Sequence, residues 1–198
     1  MITAIKSIAL FGAVLFSAYS QYNAIKTVKK FNLNKPQLES RVNETSPTDH
    51  EFMKRALELS QVAVKDNHGH PFGSVLVKDG KIIGEGWNRT KLLKDPSAHV
   101  EIEAIKDACK NLDNSDLNAC TIYASAQPCP MCLSLINQTG INRVYYCIPH
   151  DKIQKFDKDL SVGYIHEELH RAQTDRTILE VQILPEYADK YIESYMTQ

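Results

Sequence analysis

Neither sign of charge dominates this chain: 23 lysines and arginines meet 24 aspartates and glutamates in 198 residues, a formal net charge of −1. A groove built for a long phosphate backbone normally shows as an excess of Lys and Arg, so the balance weighs against tight nucleic-acid binding. The positive charge that does cluster lies at the start, where Lys6, Lys26, Lys29, Lys30 and Lys35 face only Glu39 before residue 41, leaving the remainder mildly acidic. Glycine and proline are sparse, eight of each and in no biased tract, which excludes collagen-like, disordered and linker-array organisation for the whole chain. No repeat period is visible. Cysteines are few, odd in number and unevenly spaced, at Cys109, Cys120, Cys129, Cys132 and Cys147, a poor disulfide framework in which at least one must be a free thiol or a ligand. What is present, 43% hydrophobic and 24% charged residues, suits one compact domain with a modest extension.

The extension has its own pattern. Lys6 precedes the apolar run Ile8–Phe16, and Ala18 and Ser20 are small residues two apart, so residues 1–20 read as a signal peptide cleaved before Gln21. The absence of charge from Ser7 to Ile25 also permits a membrane anchor within residues 1–25, and an amphipathic helix of a cytoplasmic protein is the plain alternative. The expectation is therefore an exported (periplasmic or secreted) or anchored chain, with residues 21–48 as a tether and 49–198 as the domain.

Within that domain, Thr48 and Glu51 fit a capping box, and Phe52, Ala56, Leu59 and Ala63 recur at helical spacing, predicting a helix over 49–65. Ser74–Lys78 and Lys81–Glu85 read as strands joined by Asp79-Gly80, a strong hairpin signal. Asp95-Pro96-Ser97 supplies helix-start chemistry ahead of the stripe Ala98, Ile102, Ile105, Cys109. Ala119–Ser125 reads as a strand, Cys129 to about Thr139 as a short helix and Arg143–Ile148 as a further strand. Beyond these, Lys152–Arg171 should be helical in part, Thr177–Leu184 strand-like and Glu186–Tyr195 helical. Strands alternating with helices imply a central sheet covered on both faces, a three-layer α/β/α sandwich.

Two fragments carry the chemistry, His99-Val100-Glu101 and Pro128-Cys129-Pro130-Met131-Cys132. Each is weak alone, since H-x-E arises by chance and a lone C-x-x-C is often a redox pair. Together they matter, because both open predicted helices that follow strands, where a crevice forms at one end of an α/β sheet. One imidazole and two thiolates make three ligands, the number that leaves a zinc ion a position for water. Cys129 and Cys132, three apart, share one side of a helical turn, and the positive helix terminus favours thiolates. His99 and Glu101, two apart, can meet only if His99 sits at the helix edge. Zinc lowers the pKa of a bound water to roughly 7. A carboxylate beside it at Glu101, not ligating the metal, can take that proton and deliver it to a leaving amine, which is hydrolytic deamination. The competing reading is a structural zinc or a pair of buried thiols.

On these motifs, in the order His70-Pro71-Phe72-Gly73, Glu85-Gly86-Trp87-Asn88, Asp95 to Glu101 and Pro128 to Cys132, the sequence resembles the cytidine/deoxycytidylate deaminase superfamily over about residues 50–150. Within it, the chain is similar to the guanine deaminase and tRNA-adenosine deaminase branch. The resemblance implies a five-stranded mixed sheet flanked by helices, Zn2+ on His99, Cys129 and Cys132, Glu101 as catalytic proton shuttle, Phe72 stacking on the base and Asn88 hydrogen-bonding it. The Pro-Cys-Pro-Met-Cys form and the tail Tyr164–Leu169 followed by Arg176-Thr177-Ile178 look most like guanine deaminases, implying guanine to xanthine as the reaction, a small-molecule purine or pyrimidine partner and a homodimer whose C-terminal segment closes the partner's pocket. Val100 stands where the family usually has Ala and Gln127 where it usually has Glu. Asp157 and Asp159 align with an expected aspartate pair only through a gap, and Asp159 is the expected reader of guanine's amidine edge.

Alternative activities are deamination of tRNA adenosine, of cytosine or of cytidine. From another class, the rival is a zinc-stabilised binding domain tethered to a membrane. Trp87 fits either a pocket wall or a core position. Cys109, Cys120 and Cys147 are expected as buried small hydrophobes. Glu167 and Glu168 are expected on a solvated face.

Overall fold

A computed structural model describes residues 45–156, 162–172, 175–178 and 180–183. The expected signal segment, residues 21–44 of the tether, the helix expected at 186–195, and Asp157 and Asp159 lie outside these. The chain divides into Met1–Ser46 and Pro47–Gln198, and the second unit carries the elements below.

Its first helix, α1 (Pro47–Lys65), buries Ala56, Leu59 and Ala63, the stripe its spacing predicts. The hairpin β1 (Gly73–Lys78) and β2 (Lys81–Trp87) turns at Asp79 and Gly80, with φ of 49° and 72°. Positive φ at both turn residues matches the right-handed twist of the paired strands, and glycine adopts it without Cβ strain. A single turn, α2 (Thr90–Leu93), follows, then α3 (Val100–Leu112), β3 (Thr121–Ala126), α4 (Pro130–Gln138), β4 (Arg143–Ile148), α5 (His150–Phe156) and α6 (Val162–His170).

The strands form one mixed sheet in the order β2-β1-β3-β4, antiparallel except for the parallel pair β3 and β4. The side-chain period of two sends alternate residues to opposite faces. Val75, Val77 and Tyr123 pack with Leu59 under α1, whereas Leu76 and Ile122 pack with Ile105, Ala108 and Ile136 under α3 and α4. Both faces are thus covered, in three layers. Gly86 allows the close fit of α3 on β2: a Cβ there would lie 2.3 Å from the Val100 carbonyl oxygen and 2.4 Å from the Ala104 nitrogen. Any side chain would lift off the first turn of α3, and with it Glu101.

Three expectations are corrected. Among the described residues the sheet has four strands, and those of the fifth expected strand, 177, 178 and 180–183, do not join it. Glu168 instead accepts hydrogen bonds from the backbone N–H and hydroxyl of Thr177, and Arg176 pairs with Glu180 at 2.7 Å, so local polar contacts replace a ladder there. Cys147 is exposed rather than buried, because β4 is the edge strand among the described residues and half its side chains face outward. Cys109 is half-buried and Cys120 buried. Glu168, expected on a solvated face, bonds both Arg171 and Thr177.

Candidate active site

Two helix starts meet at one end of the sheet. His99 is the N-cap of α3, in extended conformation (φ −76°, ψ 160°), and Cys129 is the N-cap of α4 (φ −71°, ψ 168°) with Pro130 at the first helical position. Proline suits that position because its φ is preset and its missing N–H would have had no helical partner. The Asp95–Ser97 signal marks a turn and not the helix start: Asp95 Oδ1 accepts the Ser97 N–H at 2.8 Å and the Ser97 hydroxyl at 2.7 Å. Two residues later the chain enters α3, so His99 faces beyond the helix end while Glu101 lies in its first turn.

The side chains converge as expected. Cys129 Sγ and Cys132 Sγ are 3.5 Å apart, and each lies 3.6 Å from His99 Nδ1. Zinc bonds of about 2.3 Å to sulfur and about 2.0–2.1 Å to nitrogen give tetrahedral edges of roughly 3.6–3.8 Å, so the three atoms already span one face of a zinc tetrahedron. The set is the group of His, Cys, Asp and Glu side chains that fits a metal ion among the described residues. Cys129 and Cys132 share a hydrogen bond, and with His99 beside it this holds the Cys129 thiol far below the ordinary range, while the same contact and burial push Cys132 up. The same contact with Cys129 raises His99. A thiolate is therefore available as a metal ligand, and metal binding would displace the remaining protons.

Glu101 is 4% exposed, and burial lifts its carboxyl to about 7. Burial disfavours the charged form because water no longer solvates it. A carboxyl poised there both accepts and returns a proton near neutrality. Glu103, one helical step away, is also buried but paired to Arg89 at 2.9 Å and Lys106 at 3.0 Å; it ties the loop after β2 to α3.

A cavity opens over this cluster, lined by His70, Phe72, Asn88, Glu101, Gln127 and His150 among others, with Val100, Ala126 and Ile153 as apolar wall. Phe72 and Asn88 both belong to this lining. Asn88 is 3% exposed, and its Oδ1 accepts from the His70 N–H (3.1 Å), the Thr90 N–H (3.3 Å) and the Thr90 hydroxyl (2.8 Å). With the oxygen occupied by donors, its NH2 is the arm left for the cavity. Trp87 is not part of the lining: its Nε1–H donates to His68 Nδ1 at 2.9 Å and its ring packs against the core cluster of Leu59, Val75, Val77 and Tyr123. His70, Gln127 and His150 escaped the sequence reading as site residues. His70 opens a motif already singled out and Gln127 stands just before another, so both carried a signal, whereas His150 carries no local signature.

The likeness to known proteins follows the same lines. Residues 46–148 match the model for the cytidine and deoxycytidylate deaminase zinc-binding region. The chain is 40% identical over 132 residues to the guanine deaminase of Bacillus subtilis (strain 168), covering 67% of this chain and 83% of that protein. It is 41% identical over 103 residues to a tRNA-specific adenosine deaminase of Haemophilus influenzae, covering 51% of this chain and 58% of the relative. The X-ray structure of the Bacillus subtilis guanine deaminase superposes with a TM-score of 0.71 at 35% identity, over 75% of this chain and 94% of that one. A helix-capped His99, a Cys129/Cys132 pair in reach of it and a buried carboxyl alongside are the parts such a zinc region needs, and with the match over 46–148 they place this chain in the cytidine and deoxycytidylate deaminase family, as a zinc-binding hydrolytic deaminase.

Proposed function

We propose that the chain converts guanine to xanthine and ammonia. The observation that carries this reading is the likeness to a guanine deaminase over 83% of that enzyme's length, well beyond the zinc motifs themselves. The Asn88 amide supports it, since a fixed N–H donor suits a base edge rich in acceptors, such as the carbonyl and N7 of a 6-oxopurine.

His99, Cys129 and Cys132 would hold the zinc, which when bound would supply the Lewis acidity that makes water a nucleophile at neutral pH. Glu101 would move the protons at its carboxyl, taking one from the attacking water as its oxygen bonds to the amine-bearing ring carbon and returning it to the departing amine as the C–N bond breaks, so that guanine and water become xanthine and ammonia. Phe72 covers the face of the base, and Asn88 fixes its in-plane orientation. Val100, Ala126 and Ile153 keep bulk water from Glu101. Asp159, expected at the amidine edge, lies outside the described residues and keeps that role as part of the proposal.

Ammonia release from the purified full chain with guanine, adenosine, cytosine and cytidine tests the assignment, with guanine expected to give the highest kcat/KM. A higher value for any other base overturns it. The likeness to tRNA-specific adenosine deaminases favours a second reading, for which an anticodon stem-loop would be the better substrate and activity would fall steeply with salt. The proposal extends to a homodimer, supported by exposed Met131 and Leu133 on α4 and Ile165 and Leu169 on α6, and to export or anchoring through residues 1–25. Sedimentation of the full chain and the mass of its mature N-terminus test these two points.

A further inference from the structure

Arg89 lies outside the cavity lining, one residue beyond Asn88, yet both its backbone and its side chain are bonded to the stretch that carries the chemistry. Its N–H donates to the Ala98 carbonyl at 3.1 Å, immediately ahead of His99. Its guanidinium donates from Nη1 to Glu103 Oε2 at 2.9 Å and stands 5.5 Å from the centre of the Trp87 ring. Glu103 is two residues past Glu101, its side chain is 8% exposed, and its own N–H closes the first turn of α3 on the His99 carbonyl at 2.9 Å. The other carboxylate oxygen of Glu103 goes to Lys106, three residues along the same helix, so Arg89 is the partner that reaches across to the loop.

The loop is tied on its other side as well. The Asn88 N–H donates to the Phe72 carbonyl at 3.2 Å, and its Oδ1 accepts from His70 and Thr90. Among the described residues, the hydrogen bonds from this loop to residues 98–103 are the two that Arg89 makes. A planar, permanently charged guanidinium on a buried carboxylate is a stiffer link than an ion pair in water.

We propose that Arg89 is a positioning residue for deamination: by holding the Asn88 loop to Ala98 and Glu103, it sets where the base lies relative to the Glu101 carboxyl. This rests on reading the cavity as the base pocket and Asn88 as a contact to the base, not on guanine in particular. Proton transfer from Glu101 needs hydrogen-bond reach, and a misplacement of about 1 Å costs on the order of 10²-fold in rate. Stacking and a single amide contact tolerate such a displacement better, so loss of the link should lower kcat and leave KM nearly unmoved.

Arg89→Met, Arg89→Lys and Lys106→Met in the zinc-loaded full chain separate positioning from support. Arg89→Met keeps the length of the stem without the charge, and is expected to lower kcat for guanine about 10- to 100-fold with KM within about threefold. Zinc per chain should not change. Arg89→Lys still reaches Glu103 with a point charge and should bring kcat back to within about fivefold of wild type. Lys106→Met removes a cation from the same carboxylate without touching the loop, and should leave kcat as it is. Combining Arg89→Met with Glu103→Met removes both ends of the link and the buried charge; since one link is broken in either case, its kcat should equal that of Arg89→Met. Wild-type kcat in Arg89→Met or in the combined variant, an equal fall in Lys106→Met, a change confined to KM, or a fall that tracks lost zinc would each overturn the proposal. So would failure of both methionine variants to give folded, zinc-loaded protein, which would make Arg89 a residue of the fold alone. Should guanine not be turned over at all, the guanine assignment fails on its own, and the same variants are measured with whichever of adenosine, cytosine or cytidine reacts.

Discussion

The two sides of this domain obey different rules. Under α1 the sheet buries Leu59, Val75, Val77 and Tyr123, and the Tyr123 hydroxyl meets Asp49. Where α3 and α4 begin, the interior instead holds a carboxyl raised to about 7, two cysteines within 3.5 Å of each other and a histidine. Apolar burial under α1 is favourable for the fold in its own right. Burying Glu101 is unfavourable for it, and the group persists there because the site needs a proton carrier out of water. One region is built for stability and the other withdraws from it, which makes substitutions sort cleanly.

The largest effect should come from the zinc ligands. Cys132→Ala is expected to lose bound zinc and to lower ammonia release by about 10⁴-fold or more, toward the uncatalysed rate. Elemental analysis beside the activity assay checks both. Glu101→Gln should cut kcat by about 10²–10⁴-fold while zinc per chain stays at one, because the amide cannot carry the proton. On the other side, Leu59→Ala should cost about 2–5 kcal/mol in urea unfolding and leave kcat/KM of the folded protein unchanged.

Sharper still is the sign of a stability change. Glu101 is held well above its ordinary 4.5, so the folded state pays to ionise it; the cost is nearly absent at pH 4, grows as pH rises from about 4.5 to about 7, and levels off above that. Glu101→Gln should therefore stabilise the chelator-treated protein at pH 8, by on the order of 2–3 kcal/mol, and have little effect at pH 4. The smallest expected change is at Trp87, where Trp87→Phe removes the bond to His68 for about 0.5–1.5 kcal/mol and leaves KM for guanine unmoved.

What could be read in the chain before folding follows from how local each signal is. The α1 stripe and the Asp79-Gly80 turn depend on residues a few positions apart, and both appear as expected. The metal cluster was legible for another reason: H-x-E and P-C-x-x-C are each short, and their placement at two helix starts needs only the order of elements. His150 was not legible, since it reaches the site through hydrogen bonds to residues 127 and 128, more than twenty positions away. Cys147 misled because an apolar strand pattern does not say whether its strand is central or at an edge. Residues 177–184 have strand composition, yet their described part bonds locally to Glu168 and stays exposed at Ile178, Val181 and Ile183.

The claim on which the rest depends is that His99, Cys129 and Cys132, and none of the other three cysteines, grip one zinc ion. Zinc K-edge X-ray absorption on the zinc-loaded full chain tests it without reference to any substrate. Two sulfurs at about 2.3 Å, with nitrogen and oxygen filling the shell at about 2.0–2.1 Å, is the predicted result. A shell of three or four sulfurs, or of none, would contradict it.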